Sequence, residues 1–253
     1  MALKGSIDAE ARRARILSLA RSGGTVALDD AASAFDVHPM TIRRDFDALE
    51  RDGKVRRVRG GIMTVGDDPV EVRRTHNSAA KHIIAAKILP LISSSSTMGM
   101  DASTTVGAVA EALGSDRELT VVTNGLFAFD TLARNTAVRA HLTGGEREQR
   151  NESLVGTLAQ QGFEAFHFDV SVISGMGVHA DSGTSESTLA QAAVKDSLAR
   201  VSRRLILAVD SSKLQSRSSV RALNLDRISA LVTELDPTDP LLDPFRPYIT
   251  TIV

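Results

Sequence analysis

TIRRDFDALERDGKVRRVRGG, residues 41–61, passes from mixed charge to a basic run, and the reading of that change organises the rest of the chain. Ile42, Phe46 and Leu49 fall at i, i+4 and i+7, one face of an amphipathic helix. Pro39 suits its first position, where a missing N–H has no partner to lose, and Asp52-Gly53 stops it. With the apolar face inward, Thr41, Arg43, Arg44 and Asp47 turn outward. Lys54 to Val65 then alternates apolar and basic residues about Gly60-Gly61, the pattern of a two-stranded hairpin. Upstream, Ala11 to Arg21 carries Ile16, Leu19 and Ala20 on one stripe and ends at Gly23-Gly24. Leu28, Ala31, Ala32 and Phe35 mark a second short helix, joined to the third by Asp36-Val37-His38.

Three short helices followed by a basic hairpin is the winged helix-turn-helix plan. Met40, Thr41, Arg43 and Arg44 lie in the first turns of the third helix, the part of a recognition helix that reaches base edges in the major groove. Arginine pairs with guanine O6 and N7 in two bonds, and threonine bonds phosphate or touches a thymine methyl. Lys54, Arg56, Arg57 and Arg59 on the hairpin, with no acid among them, suit phosphate contacts beside the groove. The opposing reading pairs these arginines with Asp45, Asp47, Glu50 and Asp52 on a solvated helix. The basic hairpin and the short preceding helix agree on double-stranded operator DNA as the partner.

A chain of 253 residues with 24% charged and 42% hydrophobic residues fits two soluble globular domains or one large α/β domain. The net charge of −1 confines any nucleic-acid binding to a local patch. With no cysteine there is no disulfide framework, thiolate metal site or cysteine nucleophile. The start, MALKGSIDAEARRAR, has no apolar core of the signal-peptide kind, and IIAAKILPLI (83–92) is too short to span a membrane. A soluble, cytoplasmic protein is expected.

Residues 66–76, GDDPVEVRRTH, read as a linker, which gives domains of 1–65 and 77–253. Beyond it the β-type runs STMGM (96–100), LTVVT (119–123), VRAHL (138–142), FDVSVIS (168–174), RLILAV (204–209) and ISALVT (228–233) alternate with helical segments. One helix shows Val106, Val109, Ala110 and Leu113 on a face, and another runs about Ser185 to Val201. This alternation predicts an open α/β domain with a mostly parallel sheet and helices on both faces. The tail, PTDPLLDPFRPYITTIV, holds four of the seven prolines and reads as an irregular wrap ending in a short edge strand.

Ligands of such sheets bind outside the carboxyl ends of the strands. There the sequence places Asp101, Ser103, Thr104 and Thr105, then Thr123, Asn124 and Gly125, then Gly144 and Gly145, and finally Asp210-Ser-Ser-Lys213. Hydroxyls and N–H groups at a helix start suit an anion, and Lys213 adds a cation. Any one of these loops is read first as ordinary capping and turn chemistry. Four in one domain point to a phosphorylated, polyhydroxylated ligand.

TIRRDFDALERDGKVRRVRGG resembles the DeoR family of bacterial transcriptional regulators, over roughly residues 11–63. His38 stands where that family usually has a serine cap, and Arg59 replaces a common wing histidine. The order Asp101-x-Ser-Thr, Thr123-Asn-Gly, Gly144-Gly145, Gly156, Gly175-x-Gly177, Gly183-Thr184 and Asp210-Ser-Ser-Lys213 matches the family's effector domain, similar in fold to ribose-5-phosphate isomerase. Ala102 replaces a usual glycine, and Gln191 a usual glutamate. The resemblance implies a repressor of a sugar-catabolic operon controlled by a sugar phosphate. Paired half-sites in bacterial operators add the expectation of a homo-oligomer, built mainly through residues 77–253.

The runner-up is an isomerase carrying a DNA-binding head. It needs an acid/base pair near the sugar, and Gly175-Met176-Gly177-Val178 carries no carboxylate; Asp101, Asp181 and Lys213 stand as isolated candidates. The six histidines lack zinc-ligand spacing, there is no G-x-x-x-x-G-K-S/T loop, and Gly175-Met176-Gly177-Val178 lacks the third glycine of a dinucleotide fingerprint, so no metal and no cofactor is expected.

Overall fold

The computed structural model describes residues 2–23, 25–52, 54–58, 60–64, 70–93, 96–116 and 118–253. Gly24, Gly53, Arg59, Val65 and residues 66–69 of the expected linker lie outside them. The chain divides into two compact units, Met1–Pro69 and Val70–Val253.

The first unit runs α1 (Ala2–Gly23), β1 (Thr25–Ala27), α2 (Leu28–Phe35), α3 (Pro39–Arg51), β2 (Val55–Val58) and β3 (Gly61–Thr64). Its core takes Ile16 and Ala20 from α1, Ala31 and Ala32 from α2, Ile42, Phe46 and Leu49 from α3, and Val55 and Ile62 from the wing. The apolar spacings of the three helices converge here, except that Leu19, expected on the α1 stripe, is 45% exposed. The wing differs from expectation. It is a three-stranded antiparallel sheet in the order β1-β3-β2, because Thr25–Ala27 pairs with Gly61–Met63. A side chain at Gly61 would stand 2.1 Å from the Val26 carbonyl oxygen, so only glycine admits this approach.

The second unit opens with α4 (Val70–Thr75) and α5 (Ser78–Ile88), followed by β4 (Thr97–Met100), α6 (Thr104–Ala112), β5 (Leu119–Thr123) and α7 (Leu126–Leu132). Next come β6 (Val138–Leu142), β7 (Glu146–Glu148), β8 (Ser153–Val155), α8 (Thr157–Glu164) and β9 (Val170–Ile173). The chain continues with β10 (Gly177–His179), β11 (Gly183–Glu186), α9 (Leu189–Arg200), β12 (Leu205–Ala208), β13 (Val220–Arg221), β14 (Ala230–Val232) and β15 (Thr251–Ile252). Residues 70–75, expected within the linker, are the helix α4 instead. Val70 is buried there, which is the gain that sets a helix over a solvated strand of chain. Ser185 and Glu186, expected at the head of a long helix, belong to β11.

Seven strands form one parallel sheet in the order β15-β14-β12-β9-β4-β5-β6. The five inner strands are buried on both faces, as crossover helices demand, while the edge strands β6 and β15 are partly exposed. In β12, Ile206 and Ala208 pack with α5, α6 and α7, whereas Leu205 and Leu207 pack with α8, α9 and the turn around Leu242 and Phe245. From β4 the chain builds β5 and β6 to one side, then crosses to β9 and beyond on the other. The order reverses between β4 and β9, so their carboxyl ends open the crevice where this architecture holds ligands. Asp101 and Ser174 end those two strands.

Candidate functional site

The head's exposed face is set by how α3 starts. Asp36 turns the chain in the left-handed region (φ 51°), and the His38 ring caps the helix by accepting the Met40 N–H at 3.2 Å through Nδ1. Histidine thus does the work of the family's usual serine. Arg43 and Arg44 are exposed, Met40 is 48% exposed, and Thr41 is half-buried. The nearby acids are engaged elsewhere. Asp45 is buried against Arg12, Nε to Oδ2 2.6 Å, Asp47 and Glu50 hold Arg57, and Asp52 meets Lys54 at 3.0 Å. Among the described residues no acid is paired with Arg43 or Arg44, which leaves the first turns of α3 basic.

Arg57 has a different place from the one its position on the wing suggests. Its guanidinium donates to the Arg43 carbonyl at 3.0 Å and to the Asp47 carboxylate, and lies 5.4 Å over the Phe46 ring. Its backbone N–H donates to Glu50 Oε1 at 2.9 Å. Arg57 braces the wing against α3. Arg56 is half-buried and Lys54 exposed; Arg59 lies outside the described residues.

In the second unit, the floor of the crevice is a buried ionic set. Lys195 of α9 stands 2.8 Å from Asp101 Oδ2 and 2.6 Å from Glu186 Oε1, and donates to the Ser174 carbonyl at 2.6 Å. Asp101 also accepts the Ser103 and Ser174 N–H groups at 2.9 and 2.8 Å. Burial works against the Lys195 charge, but Asp101 and Glu186 more than reverse it and hold the ammonium above its ordinary range. Burial pushes the Glu186 carboxyl up, against the pull of Lys195. Neither Lys195 nor Glu186 was singled out in the sequence, since nothing local joins β11, α9 and the end of β4.

Above this floor the expected residues divide. Ser103 caps α6 by accepting the Val106 N–H at 3.2 Å, and Thr123 Oγ1 accepts the Gly125 N–H at 3.0 Å. Asn124 donates to the Leu154 carbonyl at 2.9 Å, tying the β5 turn to β8. Gly125 approaches Ala102 so closely that a Cβ there would meet the Ala102 Cα at 2.8 Å. Gly145 packs against the Val155 carbonyl and Ala159, while Gly144 (φ +80°) meets open space. Thr105 is fully buried, and its hydroxyl has no hydrogen-bond partner. A small pocket at this end is lined by Ser103, Thr104 and Gly125 together with Arg74, Asn151 and Glu152.

Lys213 stands in a cluster of cations. Burial lowers its pKa, Asp210 pulls it back up, and the charges of Arg73 and Lys195 push it down further. Lys81 is also lowered, to about 8, chiefly by burial and then by Lys213. Its ammonium donates to the Arg73 carbonyl and, at 2.7 Å, to the His76 carbonyl. Burial opposes the Asp210 charge, yet Lys213, Ser212, Asn77 and Lys81 hold its pKa below the usual carboxylate range. Asn77 donates to Asp210 Oδ1 at 2.9 Å. Arg73 and Lys81 fell in or beside the stretch read as linker; adjacent arginines in a polar segment were the signal that could have raised them. Among the described residues no group of His, Asp and Glu is arranged to hold a metal ion, and no helix is long and apolar enough to cross a membrane.

Comparisons with known proteins agree with this geometry. The DeoR-like helix-turn-helix domain matches residues 12–66, and the DeoR C-terminal sensor domain matches residues 76–235. The transcriptional repressor AccR of Agrobacterium fabrum is 30% identical over 88% of this chain and 88% of its own. The glycerol-3-phosphate regulon repressor of Escherichia coli is 28% identical over 88% of this chain and 89% of its own. The L-fucose operon activator of Haemophilus influenzae is 29% identical over 89% and 92%. Ribose 5-phosphate isomerase A of Neisseria gonorrhoeae overlaps 55% of this chain and 53% of its own, with 20% identity and a TM-score of 0.37. A winged helix-turn-helix head with a basic recognition helix, followed by a parallel-sheet sensor domain, is thus matched across both of its units: the chain belongs to the DeoR family of transcriptional regulators.

Proposed function

We propose that the chain represses a sugar-catabolic operon, as a dimer or higher oligomer, and is released from its operator by a phosphorylated sugar. The observation that carries this reading is the gathering of Arg73, Lys81 and Lys213 beside hydroxyl- and glycine-rich loops at the carboxyl end of a parallel sheet. Clustered cations favour a ligand with fixed negative charge, and the loops around them suit hydroxyls. Relatives named for a glycerol-3-phosphate regulon and a lactose phosphotransferase system support that ligand class. A thermal-shift screen of sugars and sugar phosphates tests it, because a ligand that binds only the native state raises Tm by mass action. Shifts from free sugars alone would assign a different effector.

Two further results are expected of the crevice. Lys213→Ala should weaken binding of the effector by about 1.5–3 kcal/mol, the range for hydrogen bonds to charged groups, with operator affinity in its absence unchanged. Equal calorimetric affinities in the two proteins would move the phosphate elsewhere. Anion affinity should also fall as pH rises through about 8, where Lys81 loses its proton, and Lys81→Met should reduce this fall to the part that the lowered Lys213 contributes. The sign for folding is opposite. A lysine held near 8 against an ordinary 10.5 leaves the unfolded chain binding more protons in between, so stability rises with pH across that window.

On the head, we assign base readout to Arg44 and bracing to Arg57. Arg44→Ala should relax base preference at one position and weaken specific binding by about 1–3 kcal/mol. Arg57→Ala should lower affinity for every sequence while keeping a near wild-type salt slope, because its guanidinium is occupied by Asp47 and the Arg43 carbonyl. A slope reduced by about one in the Arg57 variant would make it a phosphate contact after all.

One observation favours turnover as a second reading: Asp101, Lys195 and Glu186 set two carboxylates and an ammonium beneath the crevice. All three are buried and held by one another, which suits a fixed floor better than a proton shuttle. Isomerisation of a sugar phosphate by the full chain, lost in Glu186→Gln, would reverse that judgement.

A further inference from the structure

The helix α4 is the first element of the sensor unit, and only residues 65–69 separate it from the last wing strand, β3. Val70, Arg73 and Arg74 face the sensor loops, while Glu71, Val72 and Thr75 are exposed. Val70 is buried and lines the pocket with Ser103, Thr104 and Gly125. Arg74 reaches into the same pocket, where its guanidinium lies 3.8 Å from the Phe127 ring centroid and 3.9 Å from Glu152 Oε2. Its Nε is buried without a hydrogen-bond partner. Arg73 donates to Asn151, whose own amide donates to Glu148. Lys81 of α5 holds the carbonyls of Arg73 and His76, and Asn77 ties the junction to the loop of Asp210 and Ser212.

We propose that α4 is the transmitter between ligand and head: Arg73 and Arg74 close on the ligand's anionic group, and the helix moves with them. This rests on the reading of the crevice as an anion site. Glu152 holds Arg74 through a long, partly exposed contact, so a phosphate entering beside Ser103 and Thr104 competes for a guanidinium that is held weakly. Arginine presents a planar fork that grips phosphate in two bonds, so recapture of Arg74 by the ligand also fixes the angle of the helix that carries it. Only five residues of chain lie between β3 and α4, so the element the ligand would order is the part of the sensor unit nearest the wing along the sequence.

The test uses the full chain, with inorganic phosphate and glycerol 3-phosphate as probes and hydrogen exchange as the readout. Either probe should raise Tm, and exchange of the amides of residues 71–77 should slow by about tenfold or more at saturation. Arg73→Gln and Arg74→Gln, both at half-exposed positions, should bind the probe about tenfold more weakly. They should also fail to release a DNA fragment selected by the wild-type chain. A raised Tm with protection confined to residues 101–106 and 210–213 would keep the anion site and overturn the role of α4. Wild-type probe affinity in both variants would do the same. No change in Tm with either probe would remove the anion site itself, and the proposal with it.

Discussion

Lys195→Met should unfold the sensor unit at a urea concentration far below wild type, with a loss of about 3–5 kcal/mol at neutral pH. The ammonium it removes is the cation that Asp101 and Glu186 share, and all three groups are buried. Methionine fills the space but leaves two carboxylates uncompensated, which is the costly way to break a buried pair. The pH dependence follows. With Lys195 gone, burial favours the protonated form of Glu186 in the folded state with no ammonium to oppose it, so the unfolded chain binds fewer protons and stability falls as pH rises. The deficit should therefore shrink as pH is lowered toward the ordinary carboxylate range. Adding Glu186→Gln should recover part of the loss, since it removes one of the stranded charges. A deficit that did not change with pH would show that lost packing, not charge, sets the effect.

Phe46→Ala should separate the two units in a second way. Phe46 is fully buried in α3, touches the core built from the three head helices, and carries Arg57 on its ring. Truncating a buried phenylalanine costs about 3–5 kcal/mol. A head of this size has little stability in reserve, so the loss should abolish DNA binding of every sequence. The sensor unit has its own clusters of buried residues and should keep both its melting transition and its effector-induced shift. Loss of the effector shift in this variant would mean that the sensor does not fold by itself.

The helical stripes and the apolar runs of the parallel strands were legible because each is a local pattern with a fixed period. The same holds for Ser103, Thr123 and Asp210, whose side chains accept N–H groups two or three residues away. What remained hidden is pairing between distant segments. Thr25–Ala27 is too short to show any alternation, and only its match with Gly61–Met63 makes it a strand. Arg57 reads as one more wing cation until α3 folds back beneath it and supplies Asp47. Lys195 sits on a helix whose spacing says nothing of Asp101 at the end of β4. The segment 66–76 read as linker from its polarity and proline, while the burial of Val70 and the direction of Arg73 and Arg74 depend on loops far along the chain.

The parallel sheet keeps its apolar contacts on its two faces and its polar loops at one end. For a lineage of regulators this is a division of labour between inheritance and innovation. Residues that line the pocket, such as Asn151 and Glu152, belong to neither core, so a gene duplicate can acquire a new effector without first losing its fold. The buried trio of Asp101, Glu186 and Lys195 stands outside that freedom. Any one of them can drift only in step with the other two, and divergence among relatives should accumulate around this trio rather than through it.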